Sequence, residues 1–379
     1  MRNWRNPFES KSDFSHRIKM VPTDSVEFEE SQLPRKPSKA RAWLIELRLP
    51  FLTGSIVPVI LGTAMAWGLH GVILWDMFLL TVIAGCCLHL GANVSNDYFD
   101  HASDDTGSDD INIEFIRPFS GGSRMIQLGY LSPREVLFGS FVFFGIAGII
   151  GLYLALSRGL ILLVLGIIGA FSGFFYTAPP FRFVHRGIGE FFIGLNFGVL
   201  LVMGAYFVQV QAFDLESLVA SLPLALLISA ILYINEFPDL RADEAAGKRT
   251  LVVRLGLRRA SYGYALFIAA VYIVIGFGVF FDLIRWMNFI VFATLPLSAF
   301  SVRHTLKVFD RPFELVPANA ATIMIHLLTG IFQIISYVLY GFSVPLEYVL
   351  IVTVLCFVLV WLAYRNVTAP PPETGGQNM

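Results

Sequence analysis

Two stretches of this chain repeat one pattern of oxygen donors. Asn96-Asp97-Tyr98-Phe99-Asp100-His101-Ala102-Ser103-Asp104 and Asn235-Glu236-Phe237-Pro238-Asp239-Leu240-Arg241-Ala242-Asp243 both read N-x-x-x-D-x-x-x-D. On a helix, a spacing of four keeps the three side chains on one face, about 6 Å apart along the axis. Two such faces looking at each other would gather four carboxylates and two amides around one polar cavity. Like charges repel, so the arrangement calls for cations, and hard oxygen donors of this kind suit Mg²⁺ carried with a phosphate ligand. A single motif of this sort is equally a helix end solvated at an interface. Two copies with the same spacing, each closing an apolar segment, point to a site, because carboxylates at membrane depth are costly.

The elements that must position these motifs are apolar. Of the 379 residues, 56% are hydrophobic and 15% charged, against about 25% charged in soluble domains. Ten apolar segments follow a polar start, at roughly 51–69, 74–96, 134–156, 159–177, 188–209, 216–237, 260–281, 286–302, 319–341 and 345–363. Each is near the ~20 residues that cross a bilayer as a helix. The composition therefore predicts an all-α, polytopic transmembrane helix bundle. Residues 1–45 read as a polar, mobile or weakly helical tail, 46–341 as the main body, 342–364 as an additional span and 365–379 as a short polar tail. The start does not read as a signal peptide. Cys86, Cys87 and Cys356 lie in apolar runs and read as packing residues without a disulfide framework.

Charge sets the orientation. With the N-terminal tail placed in the cytoplasm, all of the 27 Lys/Arg except Arg158 and Arg285 fall in cytoplasmic segments. Four spans separate the two motifs, so both reach that same face, and the active face is expected there. A transporter would carry its polar residues on across the midplane, whereas here the acids stop at one end.

Three further stretches lie on that face. Gly247-Lys248-Arg249-Thr250 follows the second motif and is either a solvated basic loop or an anion contact, Lys248 the preferred one. In Gly121-Gly122-Ser123-Arg124, paired glycines let backbone amides approach an anion and Arg124 supplies a planar fork. Tyr176-Thr177-Ala178-Pro179-Pro180-Phe181-Arg182 closes the fourth span, with Tyr176 either a belt residue or a cavity residue. Arg48 is either a snorkelling anchor or an anion ligand. Most of the 35 Phe, 13 Tyr and 6 Trp must face lipid or the core, and a subset lining a cavity would suit a long isoprenoid chain and an allylic cation. No nucleic-acid signal is present.

Together these motifs resemble the UbiA superfamily of intramembrane prenyltransferases. The run 92–100, Gly121-Gly122-Ser123-Arg124, Tyr176-Thr177-Ala178-Pro179-Pro180 and Gly247-Lys248-Arg249-Thr250-Leu251-Val252-Val253-Arg254-Leu255-Gly256 are most similar to the branch that prenylates 1,4-dihydroxy-2-naphthoate in menaquinone synthesis. The resemblance covers about 45–341. It implies a nine-helix core around a laterally open cavity, to which 345–363 adds a tenth span. It implies that Asp100, Asp104, Asp239 and Asp243, with Asn96 and Asn235, hold Mg²⁺ against a polyprenyl diphosphate. Lys248, Arg124, Tyr176 and Arg182 would contact the diphosphate, and Arg48 and Asn93 the aromatic acceptor. Many relatives have a lysine after the tyrosine of the fourth-span loop, where this chain has Arg182 and Arg186. In the naphthoate branch the acceptor loses its carboxylate as carbon dioxide. Other acceptors in the superfamily are 4-hydroxybenzoate, homogentisate, porphyrin-derived rings and glyceryl phosphates.

Overall fold

The computed structural model describes residues 37–102 and 122–368. Asp104 and Gly121 lie outside the described residues. The described elements are helical: α1 (Lys39–Glu46), α2 (Thr53–His70), α3 (Trp75–Ala102), α4 (Pro133–Arg158), α5 (Ile161–Phe174), α6 (Gly189–Val210), α7 (Leu215–Ala245), α8 (Leu251–Leu255), α9 (Leu257–Phe280), α10 (Trp286–Val308), α11 (Val316–Gly341) and α12 (Leu346–Thr368). Among them, nine helices are long and apolar enough to cross a membrane. The short helix α1 begins inside the stretch expected as a polar tail, capped by the Ser38 side chain.

The predicted fourth span is shorter than expected. Helix α5 has 14 residues, about 21 Å of rise against a hydrocarbon core of about 30 Å. The Pro179-Pro180 pair cannot continue a helix, and the chain leaves it in turns. Even so, α5 runs from one end of the bundle to the other. At its start, Arg158 donates to the carbonyls of Val208 (2.6 Å) and Gln209 (2.9 Å) at the end of α6. At its finish, Phe183 N donates to Phe175 O at 3.2 Å and Arg249 N to His185 O at 3.2 Å.

Local sequence fixes the helix ends. Ser132 and Glu135 form a reciprocal capping box on α4, Asp214 caps α7 through Ser217 N at 2.7 Å, and Thr250 caps α8. The main core joins α2, α6, α7, α9, α10, α11 and α12. Hydroxyls tie neighbouring helices within it: Tyr264 OH lies 2.5 Å from Ser301 Oγ and 2.7 Å from Thr322 Oγ1, bridging α9, α10 and α11. Such interhelical hydrogen bonds satisfy polar groups that lipid cannot. A smaller cluster of Ala42, Val94, Met125, Ile126, Leu131 and Val136 seats the glycine loop between α1, α3 and α4.

Close backbone approach decides where α6 and α7 meet. The middle of α6, Leu195–Leu200, is a π-helical turn. A Cβ on Gly198 would stand 2.3 Å from Ala225 Cβ of α7, so only glycine fits. Helix α12 packs through Val349, Cys356 and Val360 and leaves most of its apolar surface outward. The three cysteines are free.

Candidate active site

The last turns of α3 place Asn93, Asn96 and Asp100 on one wall of a cavity of about 510 Å³. The end of α7 places Asn235, Glu236, Asp239 and Asp243 on the facing wall. The spacing of four thus works as helical geometry requires. Lys248 joins the two motifs: its Nζ is 2.6 Å from Asp100 Oδ1 and 4.0 Å from Asp243 Oδ1. All three side chains are buried. Gly247, at φ +72°, ends α7 in the left-handed region, and Lys248 N donates to Asp243 O at 2.8 Å. A helix terminus therefore aims the ammonium back at the motif that precedes it.

Asp100 and Asp243 can share one lysine only if an even number of crossings separates the ends of α3 and α7. The short α5 must therefore traverse the bundle, as its end contacts indicate.

Neighbours set the remaining side chains. Asn235 Oδ1 accepts from Asn319 Nδ2 of α11 at 2.5 Å. Arg48 lines the cavity and forms an ion pair with Asp97. Asp97 itself is not part of the cavity lining. Its Oδ2 accepts from Ser123 N at 2.9 Å, and Ser123 Oγ donates to buried Glu46. Asp97 thus ties the glycine loop to Arg48, which sits at φ +45° between α1 and α2. Tyr176 and Thr177 also line the cavity. Burial, then Glu236 and the other nearby carboxylates, pushes the Tyr176 hydroxyl well above its usual range, so it stays protonated. Burial, then Lys248 and Arg182, lowers His185 to about 4, so it is neutral at pH 7.

Arg124 and Arg182 do not line the cavity, although both sit at positive φ near it, at +66° and +45°. Their backbones turn the two loops. Sequence reasoning missed Glu236, Asp97, Glu46, Glu190 and Asn319. Glu236 lies between two motif positions, off their four-residue spacing. Glu190, buried beside it, accepts from Leu251 N at 3.4 Å and so holds the start of α8.

Beyond the polar end the cavity is apolar and deep, passing His89, Asn196 and Ser172 toward Leu154, Leu162 and Val208. Ser172 Oγ donates to Asn196 Oδ1 at 2.9 Å in the π turn. The carboxylates of the lining all lie at one end.

As to a metal, the donors are carboxylates and amides, the hard oxygen set that suits Mg²⁺. Asn96 Oδ1 is buried without a hydrogen-bond partner among the described residues. No three His, Cys or acidic side chains among the described residues form a ready-made metal cluster. The set fits a cation that arrives with an anionic ligand better than one held in an all-protein cage.

The model of the UbiA prenyltransferase family matches residues 55–314. The chain belongs to the UbiA prenyltransferase family. Among its relatives in the family is the 2-carboxy-1,4-naphthoquinone phytyltransferase of Synechocystis, 29% identical over 79% of this chain and 94% of that one. The 1,4-dihydroxy-2-naphthoate octaprenyltransferase of Haemophilus influenzae is 30% identical over 77% of this chain and 94% of its own. The fold is also that of a UbiA homologue from Archaeoglobus fulgidus solved with DMAPP and Mg²⁺, at TM-score 0.52 and 16% identity, covering 80% of this chain and 98% of that one. The resemblance in the motifs and the all-α membrane bundle are borne out.

Proposed function

We propose that this protein is an Mg²⁺-dependent prenyltransferase of the membrane that moves a polyprenyl group from its diphosphate to 1,4-dihydroxy-2-naphthoate. One observation carries the reading: two acidic faces meet through Lys248 at the polar end of a deep apolar cavity. A diphosphate with a long hydrocarbon tail has that same division of polarity. The relatives, named for naphthoate or naphthoquinone substrates, support the acceptor. They differ in the prenyl group, so they leave the donor length to the cavity.

Asn96, Asp100, Asn235, Asp239 and Asp243 would hold the metal, with Asp104, which lies outside the described residues, as a further ligand. Bound Mg²⁺ supplies charge neutralisation for the leaving diphosphate. Lys248 adds a second cation at the same place, and Tyr176, kept protonated, can donate a hydrogen bond there. Arg124 and Arg182 remain diphosphate contacts only if their side chains reach over the rim. The prenyl C–O bond breaks, diphosphate leaves, and a ring carbon of the acceptor takes the allylic carbon while the ring loses its carboxylate as carbon dioxide. Arg48, with Asn93 across the wall, would hold that carboxylate until then. The apolar walls exclude water that would otherwise hydrolyse the cation. Orientation follows from the positive charges, with the N-terminus and this site on the cytoplasmic face.

The test is purified protein in liposomes, a labelled polyprenyl diphosphate, and a panel of aromatic acceptors with and without Mg²⁺. Metal-dependent prenylation of dihydroxynaphthoate is the expected result. Product with a different acceptor alone would overturn the acceptor assignment. Absence of product with every acceptor would overturn the function.

A further inference from the structure

A second cavity, about 470 Å³, opens on the outside of the bundle between α10 and α12. Its walls pair two cations with aromatic rings. Arg303 and Lys307 stand one turn apart near the end of α10, about 6 Å along the axis, and both are exposed. On the same helix Ser301 and Thr305 are buried, turned toward the core, so the basic pair belongs to the outer face. Phe300 stacks on His304 with centroids 5.4 Å apart, and Tyr364 of α12 meets Phe300 edge-on at 5.5 Å.

Neither cation has an acidic partner among the described residues. Two acids of the adjoining turn pair with Arg311: Glu314 lies 2.9 Å and Asp310 3.8 Å from it. His304 Nε2 donates to Glu314 O at 2.6 Å, which fixes the ring against that turn. The cavity therefore presents uncompensated positive charge.

Its depth is also defined. Below it, α12 exposes Leu350, Ile351, Val354, Leu355 and Val358, the surface a helix shows to acyl chains. At its own level Arg365 lies over the Trp361 ring at 4.9 Å, a basic and aromatic pairing of the kind found at membrane interfaces. The turn after α10 leads into α11, whose Asn319 contacts Asn235, so the cavity lies at the same end of the bundle as the active site. Tyr364 lies outside the residues that the family model matches.

We propose that this groove binds the phosphate of an anionic phospholipid headgroup, with Arg303 and Lys307 as its ligands and Phe300 and Tyr364 as the walls that seat the glycerol and upper acyl chains. Basic pockets between transmembrane helices recognise such headgroups, whereas soluble phosphate shares the charge but gains nothing from the apolar flank. The groove is separate from the catalytic cavity and needs no assumption about its substrates.

The full-length protein in detergent, titrated with phosphatidylglycerol, phosphatidylcholine or inorganic phosphate and followed by native mass spectrometry and thermal unfolding, tests this. Phosphatidylglycerol should be retained and should raise the unfolding midpoint, while phosphatidylcholine should not. The double variant Arg303→Gln/Lys307→Gln should bind it about thirty-fold more weakly, the worth of two basic side chains at a membrane surface. The charge-matched variant Arg258→Gln/Arg259→Gln, changed at exposed positions of α9, should bind it as the parent does. Equal losses in both double variants would mean general surface attraction and overturn the site. Unchanged binding in Arg303→Gln/Lys307→Gln would overturn it as well. Protection by inorganic phosphate equal to that by the lipid would overturn the lipid assignment.

Discussion

At the scale of single residues, the site turns on which carboxylates face inward. Asp100 and Asp243 share Lys248, and Asp239 lies on the same wall. Asp100→Asn, Asp239→Ala or Lys248→Ala should each lower turnover by about 10²–10³-fold, the range for removing a group that stabilises developing charge, with insertion and detergent elution unchanged. Diphosphate release in single-turnover assays checks this, and near-parental rates in any of the three would remove that residue from the site. Asp97 has the same charge but a different job, holding Arg48 and Ser123. Asp97→Ala should cost up to about 10²-fold through misplacement while leaving the Mg²⁺ concentration for half-maximal rate where it was. A large rise in that concentration would make Asp97 a metal ligand instead.

At the scale of elements, helices α4 and α5 face the cavity with glycine. A Cβ on Gly148, Gly151, Gly166 or Gly169 would meet nothing within 4 Å, and all four line the cavity. Gly151→Phe or Gly166→Phe should fill that space, so long donors should lose activity while short ones keep it. Product chain length by mass spectrometry decides, and an equal loss for all donors would put the tail elsewhere. The π turn is the opposite case, where space is absent. Gly198→Leu would force α6 from α7 and should cost about 1–3 kcal/mol or more, seen as a lowered unfolding midpoint. An unchanged midpoint would mean that the helices separate freely there.

At the scale of the whole molecule, the bundle has two ends with different chemistry. Arg186 and Arg249 belong to the end that holds the two acidic motifs, and Gln211 and Asp282 to the other. In a cysteine-free background, Arg186→Cys and Arg249→Cys should react with an impermeant thiol reagent from one side of sealed vesicles, and Gln211→Cys and Asp282→Cys from the other. Labelling of Arg186→Cys and Arg249→Cys from different sides would break the parity on which the site rests.

The sequence by itself determined the helical membrane bundle, the two motifs and the end of the bundle they share. Those properties follow from hydrophobic length, from the four-residue period of a helix and from the placement of charge, all of which are local. The residues 96, 100, 235, 239, 243 and 248 were therefore legible as candidates before any fold was known, and they line one cavity. Only the tertiary structure decided which side chains beside them turn inward. Asp97 and Glu236 each sit next to a motif asparagine in sequence, yet one faces Arg48 and the other lines the cavity. Arg124 and Arg182 have the right charge, but neither lines the cavity. Asn319 contacts Asn235 across 84 positions of chain. Such choices depend on how helices rotate and pack against one another, and no periodicity within one segment records its neighbour's angle.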